Sequence, residues 1–225
     1  MKIKSPFLSA VLLGGALAIS PLAHAWEYSV SNNGNSSSFE TIASAESGAD
    51  YYNFFSASGH PEFGAQSNTA FLWLHENTNT GDLSLSLILD AVNDGSGGAV
   101  TAYYTGLPDG SYVSLADDGS ELNKTGVHTA TGNWRWIDCC TDGGVVSGLE
   151  DGEAWSIDFD VSAYSGINSW VFLSGPYNSP SNALALNAGS TITISRSAQA
   201  TGIPLPGTAW FLVPGLLIAR RRLSR

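Results

Sequence analysis

Basic residues are scarce in this sequence of 225 residues, which has nine Lys and Arg against 20 Asp and Glu. Six of the nine lie at the two ends. Between residues 26 and 202 only Lys124, Arg135 and Arg196 remain, against all 20 acidic residues, which gives a formal charge of −17. Because phosphate binding requires clustered Lys and Arg, this scarcity excludes nucleic acid as a partner. The acidity indicates a soluble extracellular surface and is compatible with divalent cations.

Several catalytic signatures are also absent. No Gly-x-Ser-x-Gly elbow occurs, which excludes an α/β-hydrolase site. His60, His75 and His128 do not form a zinc pattern such as His-x-x-x-His, and we interpret them as surface histidines. Asp158 and Asp160 alternate on a strand without the flanking glutamates that a glycosidase would need, which is typical of a solvated face. The sequence therefore does not establish an enzyme, and a non-catalytic role is the favoured expectation.

Helix patterns are nearly absent, whereas strand patterns are frequent. Residues 82–89 and 154–161 alternate apolar and polar side chains with period two, and residues 70–74 and 170–173 are denser apolar runs that suit central strands. Asp-Gly turns separate these segments. The pattern predicts an all-β fold, namely an antiparallel β-sandwich that is jelly-roll-like. A parallel β-helix is the structural alternative, but no fixed repeat period supports it.

The N-terminus has the pattern of a secretory signal. Lys2 and Lys4 precede a mostly apolar stretch, and Ala23 and Ala25 fit a small-x-small cleavage site. We therefore predict a signal peptide over residues 1–25, cut before Trp26.

The C-terminus has the pattern of a membrane segment. Residues 203–219 contain no charge over 17 positions, against roughly 20 needed to cross a bilayer, and Arg220, Arg221 and Arg222 follow. Arginines next to an apolar segment favour the cytoplasmic side, so everything before the segment would be outside. A frayed apolar end or a docked strand is the alternative interpretation. The predicted organisation is a β-sandwich ectodomain over 26–196, a linker over 197–202, and a tail over 203–225 with a short membrane helix and a basic end at 220–225.

The tail opens with Ile203, Pro204, Leu205, Pro206 and Gly207, before the apolar run and the arginines. This order resembles the C-terminal sorting signal of bacterial PEP-CTERM proteins, in particular the variant that begins Val-Pro-Leu-Pro-Ala. The resemblance covers the tail alone. It implies processing by exosortase, a transient inner-membrane intermediate, and display on or release from a Gram-negative cell. It also implies association with exopolysaccharide or biofilm matrix.

The two cysteines of the chain, Cys139 and Cys140, are adjacent. Disulfides usually join Cα atoms about 4.4 to 6.8 Å apart, whereas neighbours across a trans peptide lie near 3.8 Å, so a bond between them would close a strained ring and a tight turn. In an oxidising exterior we favour this vicinal disulfide, while free thiols and pairing to another chain stay open. A zinc site is poorly supported because the spacing is too short.

Acidic turns offer hard oxygen ligands for a structural Ca²⁺. The candidate residues are Asp117, Asp118, Asp138 and Asp142. None of these turns matches the Asp-x-[Asp/Asn]-x-[Asp/Asn]-Gly series, and Asp and Gly are also what turns are commonly made of. Calcium is therefore a hypothesis from composition rather than from a motif.

Tryptophans provide candidates for sugar recognition. Trp134 and Trp136 share one face of a strand that leads into the cysteine pair, and they are interpreted either as an exposed platform for a glycan or as core. Trp155 and Trp170 fall on inward positions and are predicted to be core. The expected role is that of an exported structural or carbohydrate-binding protein. A polysaccharide-acting enzyme and a protein-binding adhesin are the alternatives.

Overall fold

The structure is a computed structural model that describes residues 26–56, 64–138, 140–150 and 153–198. The predicted signal peptide and the sorting tail lie outside the described residues, as does His60. Within the described part of the chain, no helix has the length and apolar character that a membrane crossing requires.

Strands dominate the described residues, with a single short helix among them. The elements are β1 (Trp26–Asn32), β2 (Asn35–Phe39), β3 (Ile42–Ser44), α1 (Gly48–Ser56), β4 (Thr69–Asn77), β5 (Leu83–Leu89), β6 (Gly98–Thr105), β7 (Tyr112–Ala116), β8 (Leu122–Gly126), β9 (Thr129–Trp136), β10 (Asp142–Ser147), β11 (Trp155–Ser165), β12 (Ser169–Ser174), β13 (Ser181–Leu186) and β14 (Ile192–Ala198).

The strands form two sheets. The first sheet has the order β2-β1-β14-β11-β6-β9-β8, and the second has the order β13-β12-β4-β5-β10-β7, with β3 paired to β4. Strand β4 pairs in parallel with β12 and with β3, and the other neighbouring strands of the described part are antiparallel. The prediction of an all-β fold is confirmed, with two packed sheets as in a β-sandwich.

The main core lies between the two sheets. The second sheet contributes Leu83, Leu85, Leu87 and Leu89, the face that the alternation of residues 82–89 predicts. From the first sheet, Ile157, Phe159, Ile192 and Ile194 join the same cluster. Trp155 is half-buried against this core and Trp170 lies inside it, so both predictions for these rings are confirmed.

Helix α1 covers the outer face of the second sheet, and the sequence patterns did not predict it. Tyr51 and Tyr52 are fully buried against Trp73 and Ile88, in a second apolar cluster. The helix starts after Ser47, whose Oγ accepts a hydrogen bond of 3.1 Å from the backbone N–H of Asp50. A serine at this position satisfies a donor that the helix leaves without a partner.

The connections lie at two opposite ends of the sandwich. We call the pocket end the one that carries the connections 78–82, 106–111, 127–128 and, on either side of an undescribed pair, 148–150 and 153–154, together with the start of α1. We call the acid end the one that carries the connections 90–97 and 117–121 and residues 137–138 and 140–141. Trp26 pairs with Ala198, so the described domain begins and ends at the pocket end.

Candidate functional site

A cavity of about 190 Å³ opens at the pocket end, between α1 and the outer face of the second sheet. We call it the serine pocket. It is lined by Ser47, Gly48, Ala49, Asn77, Asp82, Ser84, Tyr112, Ser114 and Ser147. Its volume is below the ~300 to 1,000 Å³ of pockets for drug-sized ligands, so it suits one ring or the end of a chain.

Strand register brings the floor of the serine pocket together. Ser147 on β10 pairs with Ser84 on β5 and with Tyr112 on β7, so the three side chains form one row across the sheet. Ser114 joins this row because its Oγ lies 2.6 Å from the Oγ of Ser147. The leucines of β5 face the core, and period-two alternation therefore directs Ser84 to the outer face.

The deepest polar atom of the pocket has no partner among the described residues. Ser84 is 3 % exposed, and its Oγ makes no hydrogen bond there. A buried hydroxyl left in this state costs about 1 to 3 kcal/mol, which a hydroxyl of a ligand or water would offset. Gly48 is required above it, because a Cβ at this position would overlap the Ser84 hydroxyl. The first N–H groups of α1 have no partner within the helix and add donors at the same place.

The rim of the serine pocket combines an aromatic ring with polar groups. Tyr112 is 54 % exposed. The Oδ1 of Asn77 accepts a 2.9 Å hydrogen bond from the N–H of Asn79, which leaves the amide hydrogens of Asn77 for other acceptors. Asp82 adds an exposed carboxylate. A ring for stacking, with hydroxyls, an amide and a carboxylate around it, is an arrangement that can bind a sugar.

A second, shallower cavity of about 280 Å³ lies at the same end. His128 Nδ1 is 2.8 Å from the carbonyl oxygen of Leu107, and its Nε2 is 3.7 Å from Asp109 Oδ1. The His128 and Asp109 side chains are both exposed, so the prediction of a surface histidine is confirmed for His128. Trp155 and Glu153 also line this cavity.

The prediction for His75 is wrong, because this side chain is fully buried on β4. Burial lowers the pKa of His75 to about 4, and Tyr51 stacks on its ring at 5.0 Å. Its Nε2 lies 2.9 Å from Ser44 Oγ, which has the appearance of a nucleophile with its base. A third group is missing, however, since Nδ1 has no hydrogen-bond partner among the described residues. The pair is therefore structural.

The acid end contains a cluster of carboxyl groups, which we call the carboxyl cluster: Asp117, Glu121 and Asp142. Asp142 is 2 % exposed, and its Oδ2 and the Oε2 of Glu121 have no donor among the described residues. Burial, and then the hydrogen bond and charge of Glu121, raise the pKa of Asp142 to about 8. The Asp142 carboxyl group therefore keeps its proton near neutral pH.

This cluster does not have the geometry of a glycosidase. Catalytic carboxyl pairs lie about 5 to 9.5 Å apart so that a sugar or a water fits between them, whereas Glu121 is close enough to raise the pKa of Asp142 by direct contact. The third member, Asp117, accepts a hydrogen bond of 3.1 Å from the Tyr52 hydroxyl, and burial raises its pKa. The bond between Tyr52 and Asp117 therefore joins α1 to the end of β7.

The four calcium candidates of the sequence analysis lie at the acid end but do not form one set of ligands. Asp142 turns inward to Glu121, Asp117 bonds to Tyr52, and Asp118 and Asp138 are exposed. In residues 26–56, 64–138, 140–150 and 153–198, no group of three or more His, Cys, Asp and Glu side chains could hold a metal ion.

The glycan platform considered at Trp134 and Trp136 is corrected by the structure, because both rings are buried in the main core at 1 % and 5 % exposure. The indole N–H of Trp134 donates to the Gly143 carbonyl at 2.9 Å, and that of Trp136 donates to Asp90 Oδ2 at 2.7 Å. Trp134 and Trp136 share one face of β9 as predicted, and this face meets the second sheet.

Sequence reasoning missed Asp90, a fully buried carboxylate at the end of β5. Its Oδ1 accepts hydrogen bonds from the backbone N–H groups of Asn68 at 2.6 Å and Ala91 at 2.9 Å, and its Oδ2 lies 2.7 Å from Ser96 Oγ. Its place directly after the apolar end of β5, Leu87 to Leu89, was the available signal.

Two further predictions have different outcomes. Asp158 and Asp160 are half-buried on the outer face of the first sheet. Asp158 accepts a hydrogen bond from Thr193 at 2.7 Å, and Asp160 accepts one from Thr191 at 2.6 Å. These positions fit the solvated face that the sequence analysis expected.

The vicinal disulfide stays a prediction, because Cys139 lies outside the described residues.

Comparison of the chain with protein-family models, with curated proteins and with solved structures finds no significant match.

Proposed function

We propose that this protein is an exported, extracellular or cell-surface protein whose serine pocket binds a sugar unit of an exopolysaccharide. The observation that carries the proposal is the exposed Tyr112 ring beside a cavity lined by hydroxyls, the Asn77 amide and the Asp82 carboxylate. Aromatic rings stack on the apolar face of a sugar, while the polar groups bond its hydroxyls and fix its orientation.

The export part of the proposal rests on the two ends of the sequence. A signal peptide over residues 1–25 directs secretion, and the tail over 203–225 makes the protein an exosortase substrate with a short membrane helix during processing. The pairing of Trp26 with Ala198 supports this, because both predicted cuts then lie outside the paired strands of the domain.

We also propose that the strands of the two sheets are connected in a jelly-roll-like order. Its support is the position of the first strand beside the last one in the same sheet, and the repeated passage of the chain from one sheet to the other.

The enzyme and adhesin alternatives have less support. The carboxyl cluster lacks the separation that glycoside hydrolysis uses. The large exposed apolar side chains of the described part lie on separate elements rather than in the single patch that an adhesive surface would favour: Tyr103, Tyr112, Val127, Ile137 and Tyr164.

Replacing Tyr112 with Ala should weaken binding to the glycan by about fivefold, because stacking contributes about 1 kcal/mol. Affinity electrophoresis in gels that contain bacterial exopolysaccharides would measure this change. Tyr103→Ala is the matched control, since Tyr103 is similarly exposed, at 44 %, but lies on the outer face of the first sheet. If Tyr103→Ala abolishes retention and Tyr112→Ala does not, the sugar surface is the first sheet.

Processing predicts a defined mass for the mature protein. When the chain is produced in a Gram-negative host that carries a matching exosortase, intact-mass spectrometry of the exported form should lack residues 1–25 and the sequence that follows a cut near residues 204–207. In a host without exosortase, the tail should be retained. An extracellular form that ends in the arginines of residues 220–225 would contradict the assignment.

A further inference from the structure

We infer that the sugar recognised by the serine pocket carries a protonated amine, so that the partner is a de-N-acetylated amino-sugar polymer rather than a neutral or uronic-acid polymer. This inference rests on the proposed function of the same pocket. It concerns the chemical class of the ligand.

The charges at the pocket are all negative. Asp82 lines it, and no Lys, Arg or His is among its lining residues. Glu150 lies close by, because its Oε2 accepts a 3.0 Å hydrogen bond from the N–H of Leu83, the residue after Asp82. Asp50 adds a third carboxylate in the first turn of α1. A ligand ammonium would be attracted by these groups, whereas a uronate would be repelled.

The protein does not supply a cation of its own to Asp82. Among the described residues the salt bridges are limited to the pair of His128 with Asp109. Lys124 is occupied by Ser111 Oγ and the Val127 carbonyl. In the described part of the chain, no protein cation therefore pairs with the Asp82 carboxylate.

The two arginines of the described residues are also committed elsewhere. Arg196 is 6 % exposed and lies over the Trp26 ring at 3.9 Å. Arg135 lies on β9 and lines a cavity at the acid end. Neither can balance the carboxylates around the serine pocket.

The start of α1 does not reverse this preference. A helix N-terminus carries a partial positive charge that would favour an anion. Here the Asp50 carboxylate already lies in the first turn, with its Oδ2 at 2.6 Å from Ser47 Oγ, and offsets that charge. Two N–H groups of the turn also have acceptors already, because that of Asp50 donates to Ser47 Oγ and that of Tyr51 donates to the Ser47 carbonyl oxygen.

The test compares three oligosaccharides of equal length by isothermal titration calorimetry with the full-length chain in mild detergent. They are β-1,4-linked glucosamine, its N-acetylated form, and a β-1,4-linked uronic acid. At a pH that protonates the amine, we expect the glucosamine oligomer to bind about fivefold tighter than the acetylated one, as one exposed ion pair allows, and the uronate not to bind. The preference should shrink as the salt rises, because the pair is screened.

Two variants distinguish recognition of the amine at the serine pocket from nonspecific attraction of a cation to an acidic protein. Asp82→Asn should remove the preference for the amine, so that the glucosamine oligomer and the acetylated oligomer bind with similar affinity, because Asn keeps polar atoms for the sugar but not the charge. Glu27→Gln neutralises an exposed carboxylate on the first sheet and should keep the preference. Equal effects of the two variants would show attraction by net charge alone and would overturn the inference.

The remaining outcomes are also decisive. If the acetylated oligomer binds as tightly as the glucosamine oligomer at every salt concentration, the amine inference fails while sugar binding stands. Tighter binding of the uronate overturns the inference in the same way. If none of the three oligomers binds, both the inference and the proposed function fail.

Discussion

The Asp142→Asn variant should be more stable than the parent protein by several kcal/mol at pH 8 and about equally stable at pH 4. Burial and the contact with Glu121 raise the pKa of Asp142 from 3.8 to about 8. Between these values the unfolded chain releases a proton that the folded protein retains, so the free energy of unfolding falls by about 1.4 kcal/mol for each pH unit. The contribution of Asp142 is therefore fully present below pH 3.8 and is lost as the pH rises to 8.

Urea unfolding at pH 4, 6 and 8 would measure this difference. Asn keeps an acceptor for the Gly143 N–H, which bonds to Asp142 Oδ1 at 2.7 Å, and provides a donor for Glu121 without a titrating group. Asp138→Asn is the matched control, because this carboxylate at the same end is exposed and should leave the profile unchanged. A stability difference that does not depend on pH would contradict the raised pKa of Asp142.

A second buried group, His75, gives the opposite dependence of stability on pH. Its effect cancels when the variant is compared with the parent protein. The pKa of His75 is lowered by burial from 6.5 to about 4, so its contribution is present above pH 6.5 and is lost as the pH falls to about 4. Parent and variant both contain His75. The difference between their profiles therefore reports on Asp142 alone.

The sequence predicts the strands and their inward faces well, because period-two alternation records burial directly. Leu83, Leu85, Leu87 and Leu89 face the core as expected. The same alternation places Trp134 and Trp136 on one face of the strand, but it does not indicate whether that face is buried or exposed to solvent. Only the pairing of the strands decides between core and solvent, and it places both rings between the sheets.

Helix α1 illustrates a different limit. It is nine residues long and has two tyrosines and two phenylalanines, which are not strong helix formers, so propensity gives little signal. Its stability comes from burial of Tyr51 and Tyr52 on the second sheet, a tertiary effect. The only local signal for the start of α1 was a capping pattern, with Ser47 before the helix and Asp50 three residues later.

The serine pocket could not be predicted from the sequence, because its residues come from separate parts of the chain. Ser84, Ser114 and Ser147 are unremarkable in the sequence, and the register of β5, β7 and β10 alone makes them neighbours. The sequence also does not show that the Tyr112 side chain is exposed, because tyrosine is common at both buried and exposed positions of strands. Sequence reasoning therefore sought sugar recognition at tryptophans, which this fold uses for its core.

Removal of the Asp90 carboxylate should destabilise the protein more than loss of any exposed acidic group. Asp90→Ala leaves the indole N–H of Trp136 and the backbone N–H of Asn68 without acceptors in the interior, and we expect a loss of about 4 kcal/mol or more. The backbone at Asp90 has φ of 65°, a conformation that Asp and Asn tolerate better than Ala, which adds to the loss.

Asp90→Asn isolates the hydrogen bond to Trp136. One amide oxygen can still accept from Asn68 and Ala91, but the amide nitrogen then meets the Trp136 N–H, donor against donor, which should cost about 2 kcal/mol. In a Trp136→Phe background this clash is absent, so the same substitution should cost about 1 kcal/mol less. The double-mutant cycle, measured by urea unfolding, reports this coupling, and additive effects of the two changes would show that the bond contributes nothing to stability.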